Sequence, residues 1–274
     1  MINILEKIVE TKRGEVERAR ENHPIEDFRN FPFYKRSCIS AVQSIRSGGN
    51  SGIIAEFKRR SPSKGWINQN ASLADVVEGY QKGGAAAISV LTDTDYFGGS
   101  LHDLGMARGF SDLPLLRKDF VIDAYQIHES KAAGADFILL IAAILQPDEV
   151  KKLAGEAHDL GLEVLLEIHD ESEINHVVEG IDLVGINNRN LKNFEVNIEQ
   201  SIRLRHLLPE HLVKVAESGI ESIEIALKLR CSGFDSLLMG EFFMKQEDPA
   251  ITLEQFAGKL QQELMDKAAL SNRL

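Results

Sequence analysis

Chemistry concentrates first in the stretch from Ile53 to Gly65, IIAEFKRRSPSKG, where an apolar run breaks abruptly into charge. Glu56 and Lys58 stand two apart, so on an extended strand they share one face while Ala55 and Phe57 share the other. A carboxylate and an ammonium so placed can pair with each other or with a ligand. Arg59, Arg60, Ser61, Ser63 and Lys64 then surround Pro62 and make a cationic loop suited to an anion. Further polar tips end other apolar runs: Lys118 in LRKDF, Glu167 in LLEIHD, Asn187 and Arg189 in INNRNL, Glu217-Ser218-Gly219 in VAESGI, and Gly240-Glu241 in LLMGEFFM. Two lysines and three carboxylates gathered in one cavity would perturb each other's pKa values and supply acid and base together. Ser218, Gly219 and Gly240 are small enough for backbone N–H groups to approach a phosphate. Glu241 suits that place only if its side chain turns away and its N–H does the binding.

These tips need a scaffold that gathers them. Strand-like apolar runs are read at Ile53–Phe57, Ala86–Leu91, Leu113–Lys118, Phe137–Ala142, Glu163–Ile168, Leu183–Asn187, Leu212–Glu217 and Ser236–Gly240. Amphipathic stretches alternate with them, among them Leu73–Lys82, Ala124–Ala133, Pro147–Leu160, Ser222–Leu229 and Leu253–Lys267. Glycines at 83, 84, 134, 161, 180 and 233 fall where helices should end. Eight βα units predict a (β/α)8 TIM barrel, whose active site lies at the C-terminal ends of the strands and whose phosphate site follows strands seven and eight. A doubly wound open sheet would want GxGxxG or a P-loop after a strand, and neither is present. The first fifty residues precede this rhythm. They hold an amphipathic helix up to His23-Pro24 and a shorter one over Ile39–Ile45, so one domain is expected, residues 1–50 being a helical extension and 53–274 the barrel.

Composition narrows the function classes. The chain has 274 residues, 43 % of them hydrophobic, and a net charge of −11, which predicts no global attraction to nucleic acid or an anionic membrane. An anionic ligand must therefore be held by a local cluster. Cys38 and Cys231 are far apart and outside any CxxC, and no histidine lies in a metal-ligand spacing, so packed thiols and no metal are expected. No apolar run reaches the ~18 residues of a membrane span, and the charged N-terminus does not read as a signal peptide. A cytoplasmic monomer is the expectation.

In order and combination, EFKRRSPS, AISVLTDTDYFGGS, LRKDF, LLEIHD, INNRNL, VAESGI and LLMGEFFM resemble the strand-end signatures of indole-3-glycerol phosphate synthase across residues 53–243. The helical extension is similar to that family's extra helix. Asn190 stands where an aspartate is frequent, and Glu241 where some members have serine. The resemblance implies the substrate 1-(2-carboxyphenylamino)-1-deoxyribulose 5-phosphate, closed to an indole with loss of CO2 and water in tryptophan biosynthesis, without a cofactor. Lys118 would then be the general acid, with Glu56 against it, and Glu167 the base. Lys58 would meet the substrate carboxylate or phosphate or serve as a second acid. Ser61 joins the substrate contacts. Asn187 and Arg189 would bind sugar hydroxyls, and Glu217 and Ser218 would position the substrate chain. Phe97, Phe120, Leu139, Ile141 and Phe194 are candidates for the aromatic slot, and His169 could point into the same cavity. Two rival readings remain: a Schiff-base aldolase using Lys58 or Lys118, and a non-catalytic phosphate sensor.

Overall fold

The computed structural model describes residues 4–62, 64–189 and 195–271. Eight strands, β1 (Ile53–Phe57), β2 (Ala87–Leu91), β3 (Leu115–Lys118), β4 (Phe137–Ile141), β5 (Glu163–Ile168), β6 (Leu183–Asn187), β7 (Val213–Glu217) and β8 (Ser236–Met239), pair in parallel with their sequence neighbours. β8 returns to β1 through Ile53↔Leu237 and Ile54↔Leu238, closing the barrel. The helices are α1 (Ile4–Asn22) and α2 (Ala41–Arg46) before the barrel. After them come α3 (Leu73–Lys82), α4 (Leu101–Phe110), α5 (Ala124–Ala133), α6 (Pro147–Asp159), α7 (Ile198–Arg205), α8 (Ile223–Cys231), α9 (Glu241–Met244) and α10 (Pro249–Ser271).

Strand parity sorts the core into two layers. Ile53, Ala55, Phe57, Ile88, Val90 and Leu115 face outward and pack against the helices. Ile54, Leu116, Leu165, Leu183, Val213 and Val215 face inward and fill the barrel. Counting on in twos from those inward residues reaches Glu56 and Lys58, Lys118, Glu167, Asn187 and Glu217. The period-two alternation that fills the interior therefore also delivers the charged tips to one mouth.

The extension reaches both ends of the barrel. α1 buries Leu5, Ile8, Lys12 and Val16 along one face at the mouth. α2 lies at the opposite end, where the Ala41 and Val42 N–H groups donate to the Glu163 carboxylate at 2.7 and 3.1 Å and Ser44 Oγ donates to the Ala86 carbonyl at 2.6 Å.

Some boundaries differ from the expected ones for local reasons. β3 begins at Leu115, after Pro114, whose nitrogen has no hydrogen for a ladder bond. β8 stops at Met239 because Gly240 turns out of extended geometry, at φ −131° and ψ −61°. Between β5 and β6 a 3-10 segment, Glu171–His176, takes the place of a full helix. No helix of the described residues is long and apolar enough to cross a membrane.

Candidate active site

A cavity of about 200 Å³ opens at the C-terminal ends of the strands. Glu56, Lys58, Ser61, Lys118, Glu167, Asn187, Arg189, Glu217, Ser218, Gly219, Gly240 and Glu241 all line it, as do Phe97, Phe120, Leu139 and Ile141. Phe194 lies outside the described residues.

Lys118 stands at the centre of the charges. Its Nζ is 3.4 Å from Glu167 Oε2 and 3.6 Å from Glu217 Oε2. Burial alone would lower its pKa, but Glu167, Glu217 and Glu56 outweigh that and hold it above the ordinary lysine value. Glu56 was expected directly against Lys118. Instead its Oε1 pairs with Lys58 Nζ at 2.8 Å, and Lys118 feels it only at longer range. The reason is parity: Lys58 is the next inward residue on the same strand, closer than a lysine two strands' width of ladder away. Burial opposes ionisation of Glu56, and Lys58 and Lys118 together still bring its pKa below the usual glutamate value.

Glu167 and Glu217 have opposite fates. Glu167 is buried, but Lys118, His169 and Asn187 surround it and keep it ionised well below the ordinary range. Asn187 Nδ2 donates to its Oε1 at 3.2 Å, and His169 Nε2 lies 3.3 Å from the same oxygen. Glu217 is pushed up to about 8 by burial and by the facing Glu167 carboxylate, against the pull of Lys118. Its Oε1 is buried without a hydrogen-bond partner among the described residues. Room for that side chain comes from Gly185 on β6, where a Cβ would overlap Glu217 Oε1. Gly240 plays the same part for Glu56: a Cβ there would stand 2.7 Å from Glu56 Oε1.

At the far side, Ser218 and Gly219 both have positive φ, 66° and 68°, which turns the backbone sharply after β7. Asn188 Nδ2 fixes this turn by donating to the Ser218 carbonyl at 2.7 Å. Glu241 is not simply turned away. Its carboxylate pairs with Lys64 from the loop after β1, and the pairing offsets the cost of burial and leaves Glu241 ionised below its usual value. The Arg189 N–H donates to Asn187 Oδ1 at 3.0 Å, which holds the two together at the end of β6.

The apolar wall contains more than the sequence indicated. Phe97 and Phe120 meet with ring centroids 6.0 Å apart, and the Phe97 turn is held by Asp93 Oδ1, which accepts the Tyr96 and Phe97 N–H groups. Ile4, Leu5 and Ile8 of α1 complete the wall. Helical periodicity marks Leu5 and Ile8 as a buried face but carries no information on what that face meets. His169 does not line the cavity itself but stands behind Glu167, whose carboxylate it faces. Burial would lower its pKa, but hydrogen bonding to Glu167 and Glu173 pushes it up to about 10. Glu173, on the 3-10 segment, accepts from the His169 N–H at 2.7 Å and was not foreseen.

A sequence model of the family described as indole-3-glycerol phosphate synthase matches residues 5–256. The chain belongs to the indole-3-glycerol phosphate synthase family. It is 46 % identical over 261 residues to the indole-3-glycerol phosphate synthase of Bacteroides thetaiotaomicron, covering 95 % of this chain and 100 % of that one. It is 41 % identical over 257 residues to the protein of that name from Albidiferax ferrireducens, covering 92 % and 97 %. Among solved structures it is similar in fold to 3-hexulose-6-phosphate synthase from Salmonella typhimurium, with a TM-score of 0.61, 11 % identity, and coverage of 77 % of this chain and 99 % of that one. Thiamine phosphate pyrophosphorylase from Pyrococcus furiosus is similar too, with a TM-score of 0.56, 16 % identity, and coverage of 77 % and 98 %. At such identities the likeness concerns the barrel alone.

Proposed function

We propose that this cavity binds 1-(2-carboxyphenylamino)-1-deoxyribulose 5-phosphate and closes its indole ring, releasing CO2 and water. The observation that carries the assignment of roles is Lys118, an ammonium held between Glu167 and Glu217 at one end of an apolar slot. The substrate's aromatic ring lies in the slot formed by Ile8, Phe97, Phe120, Leu139 and Ile141. Its phosphate reaches the Gly219 and Gly240 amides, where barrels of this kind bind phosphate. Lys58 meets the substrate's negative groups, and Asn187 and Arg189 its sugar hydroxyls.

Lys118 protonates the ketone oxygen as the ring carbon that bears the carboxylate attacks the carbonyl carbon. The C–CO2 bond then breaks and its electron pair restores the benzene ring. Lys118 has spent its proton on the ketone oxygen, so the new hydroxyl leaves as water with a proton from Lys58, and Glu167 removes the proton that completes the indole. Glu167 is a weak base while Lys118 is charged 3.4 Å away. At an effective dielectric near 20, that charge is worth about 5 kcal/mol to the carboxylate. When Lys118 has given up its proton this stabilisation vanishes, so the base strengthens at the step that needs it.

A continuous assay follows the indole product by its absorbance and fluorescence. Lys118→Ala and Glu167→Gln are each expected to lower kcat by roughly 10²-fold or more, as loss of an acid or base does. Near-normal turnover in either folded variant would overturn these roles. Borohydride trapping of the protein with a ketose phosphate would support an aldolase instead.

A further inference from the structure

The mechanism leaves the buried ammonium groups of Lys12, Lys131 and Lys214 unused, and of these Lys12 packs against residues of the site's framework. Lys12, on α1, is only 3 % exposed, yet no reacting group lies beside it. Its Nζ is 3.1 Å from Asp93 Oδ2, 3.0 Å from Asp119 Oδ1 and 2.6 Å from Glu15 Oε2. Both aspartates belong to the site's framework. Asp93 orders the turn that carries Phe97, through the N–H groups described above. Asp119 directly follows Lys118, and its other oxygen accepts from Thr92 Oγ1 at 2.5 Å and pairs with Arg117 at 3.1 Å.

We propose that Lys12 is a positioning residue, clamping the first turns of α1 to Asp93 and Asp119 so that the apolar wall and Lys118 keep a fixed distance across the cavity. Ile8 and Ile4 lie four and eight positions before Lys12, on the same helical face, so fixing its ammonium fixes the stripe that lines the slot. The other end of α1 has separate anchors. Tyr125 Oη donates to the Ala19 and His23 carbonyls, and Arg20 pairs with Asp123 at 2.6 Å. Loss of the clamp should therefore loosen the cavity half of the helix and leave the rest docked. The ion cluster resists neutralisation: burial acts against the Lys12 charge, but its carboxylate partners raise its pKa above the ordinary lysine value, and Asp119 is held down to about 2. A leucine could bury this face without the cost of desolvating charge, so the lysine points to a demand for register rather than burial.

The proposal rests on the substrate reading above, and the test keeps the two apart. In Lys12→Met, KM for the anilino-ketose phosphate should rise at least tenfold while kcat falls less. The inhibition constant of inorganic phosphate, which does not reach the α1 wall, should stay within twofold. Amide hydrogen exchange should quicken in residues 4–12 and remain unchanged in the barrel strands. Lys12→Arg should restore KM to within a few-fold, since a second cavity of about 140 Å³ beside Lys12 has room for the larger head group. Unchanged KM in folded Lys12→Met, or equal loss of phosphate and substrate binding, would overturn the clamp. Should that variant not fold, Lys12→Met with Asp93→Asn removes one charge of each sign and carries the same expectation. If it too fails to fold, Lys12 is a structural residue and the proposal falls. Failure of the wild-type protein to turn over the substrate would sink the substrate reading, whereas the exchange measurement would still decide the clamp.

Discussion

Glu217→Gln should make the folded protein's stability less sensitive to alkali. In the folded chain this carboxyl titrates near 8, against an ordinary value of 4.5, so between those pH values the folded state holds a proton that the unfolded chain has released. Stability drawn from this group is therefore complete below about pH 4.5 and is lost as pH rises to about 8. The gap, at about 1.4 kcal/mol per pH step, gives a ceiling of about 5 kcal/mol. Glutamine mimics the protonated acid and cannot ionise. Wild type and variant should thus differ by a constant small amount near pH 5, and the variant should gain relative to wild type by several kcal/mol between pH 5 and 9. Urea unfolding at steps of one pH value reads this directly through the midpoint and slope. Any fixed cost of burying the amide shifts both ends equally and leaves the pH trend intact. A difference that does not vary over pH 5–9 would refute a neutral Glu217 carboxyl beside Glu167 and Lys118.

Other expectations concern single contacts. Gly185→Ala should displace the Glu217 side chain and, by moving a group next to Lys118, lower kcat by about 10²-fold with little change in phosphate affinity; single-turnover kinetics would show it. Glu241→Ser should strengthen inhibition by inorganic phosphate several-fold at low ionic strength, because it removes a carboxylate and frees Lys64 for the anion. Weaker inhibition would contradict that balance. The kcat/KM profile between pH 6 and 8 should show no inflection from His169, which stays protonated up to about 10. An inflection near 6.5 that disappears in His169→Gln would count against the arrangement.

The barrel and most of its mouth were legible because a strand's period is two. Once Ile54, Leu116 and Leu165 are recognised as inward, Glu56, Lys118 and Glu167 must follow them to the same side. Contacts between strands were less legible. The spacing allows Glu56 to pair with Lys58 on its own strand, but nothing in it says that Glu167 and Glu217 take Lys118, since that choice depends on barrel stagger. The α1 wall was hidden for a different reason: a helical stripe marks burial without naming its partner. Lys12, a charge within that stripe, was the available signal, because a lysine on an apolar face needs buried carboxylates opposite it. The pairing of Glu241 with Lys64 joins residues 177 apart and could not be read from either string.

Because α2 caps the end of the barrel through Glu163, it leaves the ribosome long before its berth exists. Ala41 and Glu163 are 122 positions apart, which at ~5–20 residues per second is about 6–24 s of translation. For that time Ala41 and Ile45 have no finished surface to cover, and β1 waits longer still for β8. The nascent chain must keep its first fifty residues soluble by their own charge or with a chaperone's help, and the bottom of the barrel is sealed late, by a segment made early.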